Sequence, residues 1–163
     1  MPKVYMTCGK ICVGKSTYAE ELRKKYNGVI LSVDEITLCI FGQDAGENHD
    51  LYVERIENYL YQKSLELVKS GVNVILDWGF WQKDERNFAR DFYRKNAVDF
   101  EFHYIQISDE EWKSRLEKRN GEVLSGKTNA YYVDEGLAKK VEDLFEKPLS
   151  SETDLIIVKQ QEV

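Results

Sequence analysis

The sequence predicts an α/β domain built on a parallel sheet of five strands. Three observations lead there. The chain has 163 residues, the length of one domain with a core of its own. With 42% hydrophobic and 32% charged residues it has a globular balance, and no apolar run approaches the ~18 residues that span a bilayer. Short aliphatic runs alternate with segments of helical period, and strands alternating with helices make a parallel sheet covered on both faces.

The elements follow in order. Residues 4–8 are an apolar run closed by Gly9, a buried strand. Residues 15–26 place Ala19, Leu22 and Tyr26 at helical spacing, and Asn27-Gly28 stops them. Residues 29–33 are a second strand and 34–41 a short helix ending near Gly42. Residues 43–50 are a polar loop, and 51–69 a helix with Val53, Ile56, Leu60 and Leu67 on one face. The aliphatic run 72–76 is the third strand, 84–96 a helix, and 100–107 the fourth strand. Ser108 then caps a helix with acids in its first turn, predicted to run to about Asn120. Residues 121–128, with two glycines, are expected to be a flexible loop. Residues 133–145 are a helix stopped by Pro148, and 155–158 the fifth strand.

The net charge is −6, so the overall basic footprint of a nucleic-acid binder is absent. The charge is uneven: residues 1–30 hold six basic and two acidic side chains, and residues 31–79 three basic and nine acidic. The bland reading of the acidic stretch is a solvated helix face. Cys8, Cys12 and Cys39 form no CxxC pair, which indicates reduced thiols rather than a disulfide framework or a zinc site. The first residues lack an export pattern, and a cytoplasmic location is expected.

Gly9-Lys10-Ile11-Cys12-Val13-Gly14-Lys15-Ser16 fits G-x-x-x-x-G-K-[ST], and Thr17 follows. The match lies between a predicted strand and a predicted helix, as the motif requires. Gly9 and Gly14 let the backbone turn its N–H groups toward phosphates. Lys15 neutralises β- and γ-phosphate oxygens, and the Ser16 hydroxyl suits magnesium. The helix that follows points its positive end at the anion. Residues 9–17 are thus the candidate ATP-binding loop. The guanine signature Asn-Lys-x-Asp is absent from the sequence, and the length suits a small phosphotransferase.

Asp34 and Asp77 follow the second and third predicted strands, at the sheet edge where ligands bind in such folds. Phosphoryl transfer needs a carboxylate to take the acceptor hydroxyl's proton, and another often organises magnesium or water. Asp34 is the candidate base and acceptor contact; its alternative reading is a helix cap, and Glu35 is a second candidate base. Asp77 is the candidate for holding magnesium, water or substrate, or else a turn residue. Arg115 and Arg119 lie four apart on one helix face, placed to stabilise transferring charge; the alternative is a solvated face paired with Glu111 and Glu117. Arg86 is a further candidate for reaching the acceptor. Trp78, Phe80 and Trp81 either wall an acceptor pocket or pack beneath a loop. His49 and His103 read as incidental.

Strand–GKICVGKST–helix, then SVDE, VILDWGFWQKDERNFAR and EEWKSRLEKRN after successive strands, resembles the small P-loop kinases. The similarity is greatest to the branch of polynucleotide-kinase-like, zeta-toxin-like and chloramphenicol-phosphotransferase-like proteins, and covers about residues 3–150. It implies a P-loop NTPase fold with strand order 2-3-1-4-5, a single domain over 1–163 and a short lid about 112–130. It also implies ATP- and Mg2+-dependent transfer of the γ-phosphate to a hydroxyl, with Asp34 matching the catalytic aspartate and Arg115 and Arg119 the lid arginines. The stretch 131–148 matches the segment near the adenine. The acidic stretch 31–79 lies on the acceptor side, so the expected acceptor is a neutral or cationic small molecule such as an antibiotic, an amino-sugar or a nucleoside. Two alternatives stand beside it: a nucleic-acid 5′-hydroxyl kinase with a basic groove from residues 83–119, and a non-catalytic ATP-binding switch.

Overall fold

Along β1 (Val4–Cys8) alternate side chains leave the backbone on opposite faces, and both faces are buried. Val4, Met6 and Cys8 join Val74, Leu76, Phe102 and Tyr104 against Tyr61, Leu65, Ala89 and Tyr93. Tyr5 points the other way and, with Ile75, meets Ala19 and Leu22. This two-sided burial is what a central strand of a parallel sheet requires. The coordinates are those of a computed structural model, which describes residues 1–159.

Four more strands complete the sheet: β2 (Gly28–Ser32), β3 (Asn73–Asp77), β4 (Phe100–Gln106) and β5 (Leu155–Lys159). Their order is β2-β3-β1-β4-β5 and every pairing is parallel, as the sequence predicted. Helices α3 (His49–Lys69) and α4 (Lys83–Lys95) cover one face. The other face carries α1 (Lys15–Tyr26), with α5 (Asp109–Leu124) and α6 (Glu135–Leu144) beside it, where Trp112 and Val141 pack on Ile105 and Val13. The short α2 (Val33–Phe41) follows β2 directly. No described helix is long and apolar enough to cross a membrane.

Several boundaries differ from expectation for identifiable reasons. The helix α5 continues through Gly121 to Leu124, so half of the expected loop 121–128 is helical. A helical glycine costs only about 1 kcal/mol, and the stop comes at Gly126, whose φ of 70° suits a left-handed turn. The sixth helix is shorter than 133–145: Asp134 caps it by accepting from the Leu137 N–H, which leaves Val133 outside. The expected loop 43–50 holds a 3-10 turn at Gly46–Asn48, and α3 starts at His49. Asp77 is the last residue of β3 rather than the first beyond it.

The edge strand β5 is moored by charge. The Arg86 guanidinium, fully buried, donates to both carboxylate oxygens of Glu152 at 2.8 Å. Arg90 donates to Glu152 at 3.0 Å and to both oxygens of Asp154 at 2.6 and 2.8 Å. These fork-shaped pairs tie α4 to the segment entering β5.

Candidate functional site

The loop from Gly9 to Gly14 leaves the carboxyl end of β1 and enters α1. Gly9 has φ 151°, and a side chain there would meet the Ile105 carbonyl oxygen and Val13 Cγ2, both at 3.0 Å. Gly14 (φ 99°) and Cys12 (φ 63°) are also left-handed, and the succession turns backbone N–H groups inward as an anion-binding concavity. The Lys15 ammonium folds back over the loop, donating to the carbonyls of Gly9 at 3.0 Å and Lys10 at 2.6 Å. Desolvation lowers its pKa, while the nearby Asp77 and Asp34 carboxylates act to raise it. Ser16 and Thr17 are exposed in the first turn of α1.

One face of α5 grips the loop from above. The Trp112 indole N–H donates to the Ile11 carbonyl at 2.7 Å. Arg115 donates to the Val13 carbonyl at 3.2 Å and, through Nε, to Glu111 at 2.6 Å. Arg119 Nη1 donates to Cys12 Sγ at 3.0 Å, and its Nε is buried with no hydrogen-bond partner among the described residues. Residues 112, 115 and 119 share a helix face by their three- and four-residue spacing. The sequence reading singled out the two arginines and missed Trp112, although the same spacing included it. The Lys10 ammonium sits 4.4 Å over the Trp112 ring.

Asp34 and Asp77 sit at adjacent strand ends, Ser32 pairing in register with Asp77. Ser32, not Asp34, caps α2: its hydroxyl accepts from the Glu35 N–H at 3.3 Å. The cap reading of Asp34 is thereby corrected. The residue is open to solvent, yet desolvation by the protein around its carboxyl raises the pKa above the usual aspartate range. Lys15 and Arg119 oppose the rise, Asp77 adds to it, and His49 opposes it. The structure therefore brings Lys15, Asp34, Asp77 and Arg119 within one electrostatic field. Asp77 is buried beside the Thr7 hydroxyl, which donates to it at 3.4 Å.

Arg86 is not part of this group. Its donors are committed to Glu152 and to the carbonyls of Phe80 at 3.0 Å and Trp81 at 3.2 Å. Chain order put it near the acceptor, but a buried carboxylate holds it on the β5 side. Phe80 is buried, stacking on Trp78 and meeting Phe102 edge-on, so this aromatic run packs the core beneath the loop. His103 is also structural: it is buried, 2.7 Å from the Tyr18 hydroxyl and 3.2 Å from Glu101. His49 stands edge-on to Tyr131, with centroids 6.0 Å apart, and is the weakest of the named influences on Asp34. No sequence signal linked residues 49 and 131.

These residues fit a nucleoside triphosphate on structural grounds. The left-handed loop offers N–H groups, Lys15 lies across it, and the orphaned Arg119 Nε faces a shortage of acceptors. Magnesium in such sites is held by phosphate, water and one or two protein oxygens, and Ser16 with Asp77 is a suitable donor set.

Comparison with known proteins agrees with this fold. A family model described as the AAA domain matches residues 4–148. No curated protein sequence matches the chain. Among solved structures, a sugar kinase from Janibacter sp. aligns at 14% identity over 98% of this chain and 86% of that one, with a TM-score of 0.68. The Mycobacterium tuberculosis APS kinase in complex with AMPPNP and APS aligns at 16% identity over 99% and 90%, with a TM-score of 0.68. A chain of the Pnkp1/Rnl/Hen1 RNA repair complex aligns at 26% identity over 88% of this chain and 44% of that one, with a TM-score of 0.69. The first two likenesses carry the fold: a P-loop NTPase sheet.

Proposed function

The chain belongs to the AAA domain family; on that premise we propose that it is a P-loop kinase that transfers the γ-phosphate of ATP, with magnesium, to a hydroxyl of a small molecule in the cytoplasm. The observation that carries the reading is the placement of Asp34. Its carboxylate, released from capping by Ser32, shares the sheet edge with the phosphate loop and shares a field with Lys15 and Arg119. A raised pKa makes it a stronger base toward a hydroxyl proton.

Each residue then has a task. Lys15 and the N–H groups of residues 9–17 hold the phosphates. Arg119 and Arg115 stabilise the charge that spreads over the transferring group. Asp34 orients the acceptor hydroxyl and takes its proton. Ser16, with Asp77, would hold magnesium, which supplies neutralisation of phosphate charge.

The acceptor side is acidic. Residues 31–79 hold nine acidic against three basic side chains. Within them, desolvation and the neighbouring Glu85 and Glu54 push the Glu57 carboxyl up to about 7. Such a surface favours a neutral or cationic acceptor, an antibiotic, amino-sugar or nucleoside, over a polyanion. A second reading, a nucleic-acid 5′-hydroxyl kinase, is favoured by the 26% identity to a chain of the RNA repair complex. Against it, two cations of the 83–119 region, Arg86 and Arg90, are locked onto carboxylates and add nothing to a groove.

A transfer screen with γ-labelled ATP and magnesium tests the reading. Its three acceptor pools are hydroxylated antibiotics and amino-sugars, nucleosides and sugar-nucleotides, and 5′-hydroxyl oligonucleotides. Label in either of the first two supports the proposal. Label only in oligonucleotides, with salt-sensitive binding, replaces it by the second reading. ATP binding with no label in any pool contradicts both.

A further inference from the structure

We infer that Tyr131 is a positioning residue for the acceptor base: a strap of chain at 130–133, fastened at both ends by side-chain amides, holds its phenol on Thr37 and so seats the turn that carries Asp34. The inference rests on the assignment of Asp34 as the base.

The strap has no strand or helix of its own, so its backbone groups need partners from elsewhere. Two amide side chains supply them. Gln43 donates to the Ala130 carbonyl at 2.8 Å and accepts from the Tyr132 N–H at 3.0 Å. Asn120 donates to the Val133 carbonyl at 2.6 Å and accepts from the Val133 N–H at 2.8 Å. Each amide spends one donor and one acceptor on the strap, as a neighbouring strand would. Gln43 comes from the loop after α2, on the acceptor side, and Asn120 from α5, beside the loop-gripping arginines. The strap therefore bridges the acceptor side and the phosphate side of the site.

Tyr131 sits between the two fastenings. Its hydroxyl donates to Thr37 Oγ1 at 2.7 Å. That hydroxyl, fully buried, in turn donates to the carbonyls of Val33 at 3.1 Å and Asp34 at 3.2 Å. The phenol thus reaches the backbone of Asp34 through one intervening group. The same ring stands edge-on to His49. The groups whose charge or dipole bears on Asp34 are Lys15 from α1, Asp77 from β3, His49 from α3, Arg119 from α5 and Tyr131 from the strap. With the strap in place, the carboxylate is crowded and its supporting turn is fixed. With the strap released, Thr37 loses its donor and the protein packed around the Asp34 carboxyl loosens.

The test is the titration of the Asp34 carboxyl carbon by NMR in the free protein, its signal assigned by its loss in Asp34→Asn. Wild type is compared with Tyr131→Phe, Gln43→Ala and Tyr132→Phe. Release of the strap loosens the protein that crowds the carboxyl, so the midpoint is expected to fall toward the ordinary aspartate value in Tyr131→Phe and Gln43→Ala. It stays at the wild-type value in Tyr132→Phe, whose ring is exposed. The His103 ring, buried beside Tyr18 and Glu101, reports that each variant is folded. With the acceptor that takes label in the screen, Tyr131→Phe is expected to lower kcat about tenfold with KM for ATP within about twofold, and to move the acid limb of kcat to lower pH. An unmoved Asp34 midpoint in folded variants, or a loss that falls on KM for ATP instead of kcat, overturns the inference. The titration needs no acceptor. If Asp34→Asn transfers phosphate at the wild-type rate, the base assignment fails, while the midpoint still decides whether the strap seats this carboxylate.

Discussion

Replacing Glu152 by Gln isolates what the Arg86 clasp contributes. The wild-type carboxylate lies against two guanidinium groups, with side chains 0% (Arg86) and 7% (Arg90) exposed. Hydrogen bonds from Arg86, opposed by desolvation and helped by the Leu149 N–H and Arg90, pull its carboxyl from 4.5 down to about 2. A shift of that size corresponds to about 3 kcal/mol, at ~1.4 kcal/mol per pKa unit. This agrees with the ~3–5 kcal/mol lost when one partner of a buried pair is removed. For a chain of this length the melting temperature should fall by about 6–12 °C. The sign of the pH dependence follows from the direction of the shift. A carboxyl whose pKa is depressed by folding contributes fully above its unfolded value of 4.5, and loses that contribution as pH falls toward about 2. Urea unfolding of wild type and Glu152→Gln should therefore differ by a constant gap from neutrality to about pH 5, and the gap should shrink below that. Well below its melting temperature the variant should bind ATP as wild type does, because Arg86 serves β5 rather than the phosphates. A gap under about 1 kcal/mol, a gap unchanged at low pH, or lost ATP binding by folded protein would refute this account of Arg86.

Two further substitutions probe the phosphate loop. Gly9→Ala places a methyl 3.0 Å from the Ile105 carbonyl oxygen, at a φ of 151°, and should cost about 1–3 kcal/mol in urea unfolding and weaken ATP binding measured by calorimetry. Trp112→Phe removes the donor to the Ile11 carbonyl and should cost about 1 kcal/mol, with ATP affinity falling more than the affinity of any acceptor.

The fold was legible because its signals are local. The aliphatic runs, the glycine-bracketed loop and the helical spacing each belong to one stretch of chain, and together they imply a parallel sheet, whose strand order is what the resemblance to the small P-loop kinases implies. The phosphate loop was legible for the same reason. What sequence reasoning misplaced depends on long-range partners. Arg86 resembles a site arginine until Glu152, 66 residues away, is seen to hold it. The contact of His49 with Tyr131 joins residues far apart in the chain and has no local signal. Asp34 reads as a base with a helix cap as its alternative in the string Ser32-Val33-Asp34-Glu35, and only the structure shows that Ser32 takes the cap. Gln43 and Asn120 carry no motif at all, since an amide that fastens a strap is indistinguishable in sequence from a solvated one.

The central claim is that Asp34 acts on the acceptor hydroxyl while Lys15 and the loop hold the nucleotide. It is tested most directly by measuring ATP affinity and label transfer in parallel for wild type and Asp34→Asn. The account predicts near-equal ATP affinity and transfer reduced by at least about a hundredfold, the usual loss for a missing general base. Transfer at the wild-type rate, or loss of ATP binding in step with transfer, would contradict it.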